Sequence, residues 1–288
     1  MFHAGERAAQ IRAGAGDMAA RVGGFIRDYM PQQHRDFYTA LPFVVLAAAD
    51  AAGRPWVTVL EGEEGFIASP DDRTLIFDAL PDEADPLAAA IAAGTGAGML
   101  GIDLATRRRN RLNGIIRGSG GGLALAVRQS FGNCPRFISR RQWRRVEGEG
   151  HGRPVRSATL SSEHMERIAM ADTVFIGSGY DGSFDASHRG GEAGFVRVVD
   201  RTTLCIPDYA GNNFFNTIGN LMLDPRVGLL FIDFATGAML HITGTAQVDW
   251  EPDRPQDPAA RRMIEIAIDT VVDRPAALSL RWQRVERP

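Results

Sequence analysis

The chain repeats itself, and a repeat limits what it can fold into more than any other feature. Gly65-Phe66-Ile67 returns as Gly194-Phe195-Val196, an offset of 129. At that offset Gly53 falls on Gly182 and Thr74-Leu75 on Thr203-Leu204. Gly98-Met99-Leu100-Gly101-Ile102-Asp103-Leu104-Ala105-Thr106 returns as Gly228-Leu229-Leu230-Phe231-Ile232-Asp233-Phe234-Ala235-Thr236 at an offset of 130, which also carries Gly114 onto Gly244. A duplicated unit of roughly 70 residues leaves this trace. Two copies of one unit share one architecture and are free to differ where a ligand binds.

Inside each copy the pattern is one of short strands. Phe43 to Ala49 is apolar and ends in the turn Asp50-Ala51-Ala52-Gly53. In Pro55 to Leu60, Trp56, Thr58 and Leu60 alternate with Val57 and Val59. Further strands are expected at 66–67, 75–77, 99–104, 109–116 and 123–127, and in the second copy at 174–178, 184–187, 194–199, 204–207, 227–234 and 238–248. Helices are expected over 17–30, 31–41, 87–93, 139–146, 213–223 and 258–272, with a last strand at 278–285. These readings give a mainly β protein of two small closed barrels with peripheral helices. Residues 1–40 form an N-terminal helical segment, a lid on the first repeat. The first repeat with an extension is 41–146, a glycine- and arginine-rich linker is 147–165, the second repeat is 166–250, and 251–288 form a C-terminal helix and strand.

Composition excludes several chemistries. The 288 residues are 44% hydrophobic and 23% charged, as in ordinary globular proteins, and the net charge of −3 gives no reason to expect nucleic acid or an anionic membrane. No apolar run reaches the roughly 18 residues of a membrane span, and the N-terminus carries no apolar signal core, so a cytoplasmic location is expected. No lysine occurs; all 32 basic residues are arginine. Lysine Schiff-base chemistry and the P-loop both need a lysine, and both are excluded. Cys134 and Cys205 have no zinc spacing and are read as small buried hydrophobes.

Familiar motifs fail in context. Gly96-Ala97-Gly98-Met99-Leu100-Gly101 fits G-x-G-x-x-G but precedes a strand, where a dinucleotide site needs it to open a helix. The six histidines show no metal spacing. Two segments of the second copy do stand out. One is Asp185-Ala186-Ser187-His188-Arg189-Gly190-Gly191, and the other is Ile206-Pro207-Asp208-Tyr209-Ala210-Gly211-Asn212-Asn213. The latter is a strand-to-helix junction, whose free N–H groups suit an anion; Asn213 as a plain helix cap is the other reading. The first copy has Leu80-Pro81-Asp82-Glu83-Ala84-Asp85 at this place, where carboxylates repel an anion, so the second copy is expected to bind it. The first copy instead carries Arg107-Arg108-Arg109-Asn110-Arg111. Arg107, Arg109 and Arg111 share a strand face, either solvated or lent to a site between the barrels.

The order Gly-Phe-Val, Thr-Leu-x-Ile-Pro-Asp, Gly-Asn-Asn, then a helix and Asp224-Pro225-Arg226-Val227-Gly228-Leu229-Leu230-Phe231, resembles the pyridoxamine 5′-phosphate oxidase-like, FMN-binding split-barrel family. The resemblance is strong over 170–248 and weaker over 40–116, and is closer to two-barrel members than to the true oxidase. It implies tandem split β-barrels and an FMN-dependent oxidoreductase acting on a small organic substrate, with NAD(P)H or a redox partner, as a homodimer with FMN at the chain interface. By position, Ser187, His188 and Arg189 touch the flavin or its phosphate. Ile206, Pro207 and Asp208 follow the ring edge, Asn212 and Asn213 hold the phosphate, and Arg109 and Arg111 lend charge. His188 is the candidate acid or base. The true oxidase has an arginine-lysine pair where Asn212-Asn213 stand and a glutamine where Met239 stands, so its own reaction is not implied. The alternative is a non-catalytic flavin or haem carrier with His188 or His241 as axial ligand.

Overall fold

The computed structural model describes residues 2–17, 21, 23–91, 94–119, 122–147, 152–252 and 257–285. The first repeat is β1 (Phe43–Ala49), β2 (Pro55–Glu61), β3 (Ile67–Asp71), β4 (Thr74–Phe77), β5 (Gly96–Asp103), β6 (Arg108–Ser119) and β7 (Gly122–Gly132). After β8 (Arg141–Arg145) and β9 (Val155–Ser157) comes the second, with β10 (Thr173–Tyr180), β11 (Ser183–Gly190), β12 (Arg197–Val198), β13 (Thr203–Asp208), β14 (Arg226–Ile232), β15 (Met239–Asp249) and β16 (Arg262–Arg274). The last strand is β17 (Leu280–Arg284), paired with β8. The α-helices whose residues are all described are α1 (Ala4–Arg12), α2 (Gln32–Thr39), α3 (Ser162–Met170) and α4 (Asn216–Leu221). Among the described residues no helix is long and apolar enough to cross a membrane.

The duplication is visible in the topology. Strand order is β2-β1-β5-β6-β7-β4-β3 in one sheet and β11-β10-β14-β15-β16-β13-β12 in the other, the same path strand for strand. Gly53 and Gly182 close the first hairpin of each copy with φ of 76° and 73°, a conformation that side chains disfavour. The long hairpins bulge at matching places, Asn113/Gly114 and Thr243/Gly244. Among the described residues each path stays open at its ends, so the barrels are split rather than closed as the strand pattern alone suggests.

Each repeat has its own apolar core, and a third core joins them. In the third, Phe43, Val45 and Leu100 meet Phe175, Leu230 and Ile232, with Leu280 and Trp282 at the edge. Burying each such side chain is worth about 1.5–3 kcal/mol, which makes this an obligate contact between the halves. The backbones also close up. A Cβ on Gly98 would lie 2.5 Å from the Asp185 Cα, and one on its counterpart Gly228 would lie 2.7 Å from the Pro55 carbonyl oxygen. The apparent dinucleotide motif is therefore a strand thinned to let the other repeat approach.

Several expected elements are corrected. Residues 258–272 are not a helix; β16 lies between β15 and β13 and completes the second sheet, which thus runs beyond residue 250. Of the helix expected over 87–93, residues 87–90 form turns and 92–93 lie outside the described residues, and 139–146 contain β8, held by β17. The helix expected at 213 begins at Asn216, because Asn213 and Phe215 both take φ of 60°. The N-terminal segment is split: α2 holds the first repeat through Arg35 and Ser69, but α1 lies on α4 of the second. Within 17–30, Asp17 and Arg21 are helical, Gly23–Phe25 form a short 3-10 turn and Arg27 bridges to Ser130, while 18–20 and Val22 lie outside the described residues, as do 148–151 of the expected linker. That linker also contains β9 and the start of α3.

Candidate functional site

β11 and β13 are not paired, yet Arg189 on one meets Asp208 on the other at 2.7 Å, so the two singled-out segments come together. β11 ends at Gly190 and β13 at Asp208, and the loop from Tyr209 leads into α4. β6 of the first repeat crosses beside β11, so Arg109 and Arg111, two apart on one strand face, enter the same cleft. Two adjoining cavities, about 80 and 60 Å³, lie there. His188, Arg109 and Pro207 line the first, Asp208, Asn213 and Arg262 the second, and Arg111, Arg189 and Asn212 border both.

The charges do not balance. Arg111 pairs with Asp185 at 3.0 Å, and Asp208 holds both Arg189 and Arg262 at 2.7 Å. Arg109 makes no ion pair among the described residues; its Nη1 lies 2.8 Å from Nδ1 of His188. Leaving aside the exposed Arg136 at the rim, four guanidinium groups thus face two carboxylates. Burial pushes the Arg109 pKa down to about 9, with Arg111 and Arg189 adding repulsion. His188 is held well below its usual value by burial and by the same arginines, so it is neutral. A guanidinium can only donate, so Nδ1 accepts and the imidazole proton sits on Nε2. Nε2 of His188 and Nε of Arg109, Arg111 and Arg189 are buried N–H groups without an acceptor among the described residues. Such a surplus of donors suits an anionic group.

Other predicted residues fare differently. Ser187 is fully buried and bonds Thr217 at 3.0 Å, tying β11 to α4. Ile206 packs in the second repeat's core and lines neither cavity. Asn212 accepts from the Phe214 N–H at 3.1 Å, a turn contact. Since α4 has six residues and starts beyond Asn213, the helix-terminus argument is replaced by the arginines. Arg107 has φ of 60° in the turn before β6 and leaves the Arg109–Arg111 face. His241 is fully buried, with Nδ1 2.8 Å from the Val57 carbonyl, and offers no open axial position for haem.

The sequence reading missed one wall. Asn133, Cys134, Arg136 and Phe137 follow β7 and line the first cavity. Cys134 is a half-exposed cavity residue rather than a buried filler, whereas Cys205 is buried as expected. Phe137 (φ 63°) stacks on Tyr209 with centroids 5.1 Å apart. Its carbonyl passes so near β11 that a Cβ on Gly190 would lie 2.0 Å from it. Among the described residues no cluster of ligands for a metal ion occurs.

The equivalent place in the other half is filled. Repeat and register put Val59, Leu60, Met239 and His241 where His188, Arg189, Arg109 and Arg111 stand, and Arg274 where Asn133 stands. Arg274 turns inward onto Asp82 and onto Asp85, the latter at 2.6 Å, and Asp85 also accepts from Thr58. Arg274→Ala leaves Asp85 buried without its cation and should cost about 3–5 kcal/mol, read as a lower urea midpoint. An unchanged midpoint would show the pair to be dispensable.

Comparison with known proteins agrees on the fold. Residues 30–126 match the sequence model of the family described as pyridoxamine 5′-phosphate oxidase, so the match falls on the first repeat, where the resemblance looked weaker. No curated protein matches the chain. Similar solved structures include the FAD binding protein from Mycobacterium smegmatis (11% identity, 42% of this chain and 98% of that one, TM-score 0.29). HupZ from Group A Streptococcus is 11% identical over 38% of this chain and 90% of its own, with a TM-score of 0.31. A Clostridium acetobutylicum protein related to general stress protein 26, of the pyridoxinephosphate oxidase family, is 12% identical over 43% and 92%, with a TM-score of 0.30. Likenesses at this level decide nothing about the reaction.

Proposed function

We propose, with the family match over residues 30–126 as premise, that this chain holds one FMN by its phosphate in the cleft between its repeats and serves as an oxidoreductase for a small organic substrate. The carrying observation is the excess of buried N–H donors around Arg109, His188, Arg111 and Arg189. Phosphate oxygens accept and do not donate, and a dianion offsets the two surplus positive charges. The cavities of about 80 and 60 Å³ fit such an anionic group. A planar ring finds an aromatic wall in Phe137 and Tyr209 at the mouth.

When bound, the flavin supplies the electron transfer, and NAD(P)H or a redox partner is proposed as the other electron carrier. The chain's residues bind and orient. Arg109 and Arg111 come from the first repeat, His188 and Arg189 from the second, so both walls belong to one chain. Asp185 and Asp208 hold Arg111 and Arg189 in place. His188, neutral with its proton on Nε2, acts as a donor to the ligand in place of the acid-base role first expected of it. The homodimer is a separate proposal, read by sedimentation velocity; neither wall of this site depends on it.

The test is an absorbance spectrum of the purified protein, with melting followed as FMN is added. Co-purified flavin, or a rise in melting temperature that grows with FMN concentration, supports the reading. A colourless protein whose melting ignores FMN rejects it.

A further inference from the structure

The N-terminal helix reaches the proposed site. Gly5 and Gly219 let α1 lie directly on α4: a Cβ on Gly5 would be 2.1 Å from the Gly219 carbonyl oxygen, and one on Gly219 would be 2.5 Å from the Glu6 nitrogen. Gln10 donates to the Phe214 carbonyl at 3.1 Å, and Phe2 packs edge-on against Phe214 at 5.6 Å. Together these contacts strap α1 across the loop that leads from the cavities into α4.

Glu6 sits at the centre of this contact, 3% exposed. One carboxylate oxygen accepts from the His3 N–H at 2.7 Å and closes the helix cap. The other accepts from the Asn216 amide. The Asn216 carbonyl oxygen in turn accepts from Nη1 of Arg111 at 3.2 Å, the same nitrogen that faces Asp185. Arg111 and Asn216 both line the second cavity. Capping a surface helix does not require a carboxylate turned into the protein. Burial lifts the Glu6 pKa to about 7 in spite of both hydrogen bonds, so the group is kept inside against its solvation.

We propose that Glu6 is a positioning residue of the anion site: through Asn216 it fixes the Arg111 guanidinium, and so ties the N-terminal helix to ligand binding. This rests on the reading of the cleft as an FMN-phosphate site. The single acceptor that Asn216 offers Arg111 has one orientation only while Glu6 takes up its NH₂ group. Without Glu6 the amide is free to rotate, and Arg111 keeps Asp185 alone.

A double-mutant cycle on FMN affinity, read by flavin fluorescence, tests this. Glu6→Ala should weaken FMN about 10-fold and Arg111→Met about 100-fold, and the double variant should bind no worse than Arg111→Met. His3→Ala removes the other half of the cap without touching Asn216, and should lower the melting temperature while leaving FMN affinity within about two-fold. If Glu6→Ala does not fold, Glu6→Met takes its place, since it keeps the bulk and offers Asn216 no acceptor. Additive losses in the double variant, or equal losses from His3→Ala and Glu6→Ala, overturn the positioning role while the site reading stands. A wild type that ignores FMN, with Arg111→Met no different, removes the site reading and this proposal with it.

Discussion

Arg109→Met should weaken FMN binding about 100-fold, equivalent to about 2.7 kcal/mol, and yet raise the melting temperature of the ligand-free protein. Both signs follow from one circumstance. Arg109 is a largely buried cation with a histidine nitrogen and no carboxylate beside it, and burial has already pulled its pKa down to about 9. Without ligand it repels Arg111 and Arg189; with phosphate it gains its missing counter-ion. Methionine keeps the bulk and removes the charge, so about 1 kcal/mol returns to the folded state after His188 loses its donor. For a chain of this size that is a rise of roughly 2–4 °C. Arg109→Lys keeps the charge without the two-pronged donor and should fall between. A methionine variant that binds FMN normally would show that the anion lies elsewhere.

Gly98→Val should lower stability by about 3 kcal/mol or more, because the strand has no space between it and β11. The added Cβ meets the backbone of Asp185 and Ala186, which no rotamer change can move aside. Gly228→Val should do the same from the other side, against Pro55 and Trp56. Gly118→Val is the control: nothing lies within 4 Å of its added Cβ, and its effect should stay within about 0.5 kcal/mol. Chemical denaturation midpoints check all three. Because Asp185 anchors Arg111, Gly98→Val should also weaken FMN in whatever fraction folds. Equal midpoints for Gly98→Val and Gly118→Val would mean that the halves are not packed as described.

The repeat made much of this visible in advance. Gly53, Gly98 and Gly114 recur as Gly182, Gly228 and Gly244 because a hairpin turn, a close approach and a bulge recur. The same logic, carried one strand further, would have rescued 262–274. Ile264 and Ile266 alternate with Glu265, as a strand requires, but Ile264, Ile268 and Val271 also fit a helical spacing. Local pattern could not choose; pairing with β15 and β13 does. Residues 87–90 misled in the opposite way: an alanine-rich run has helix propensity, but one this short is marginal as a helix and forms turns that pack Leu87 into the first core.

The site was legible where one strand carried it. Strand alternation brought Arg109 and Arg111 together, and the junction after Asp208 was marked by its glycine and asparagines. Asn133 to Phe137 and Arg262 were not, because they reach the cleft from a turn and a strand whose places depend on tertiary pairing. Glu6 was further out of reach, 210 positions from the Asn216 it holds. The expectation that FMN lies between two chains came from the family; the residues proposed here for its phosphate come from both repeats of one chain.

Calorimetric titration of the purified, flavin-free chain with FMN tests the central claim most directly. The account predicts one FMN per chain, with binding reduced about 100-fold in Arg109→Met and unchanged in a Met239 variant at the filled counterpart. Two FMN per chain, or one that Arg109→Met does not disturb, would contradict it.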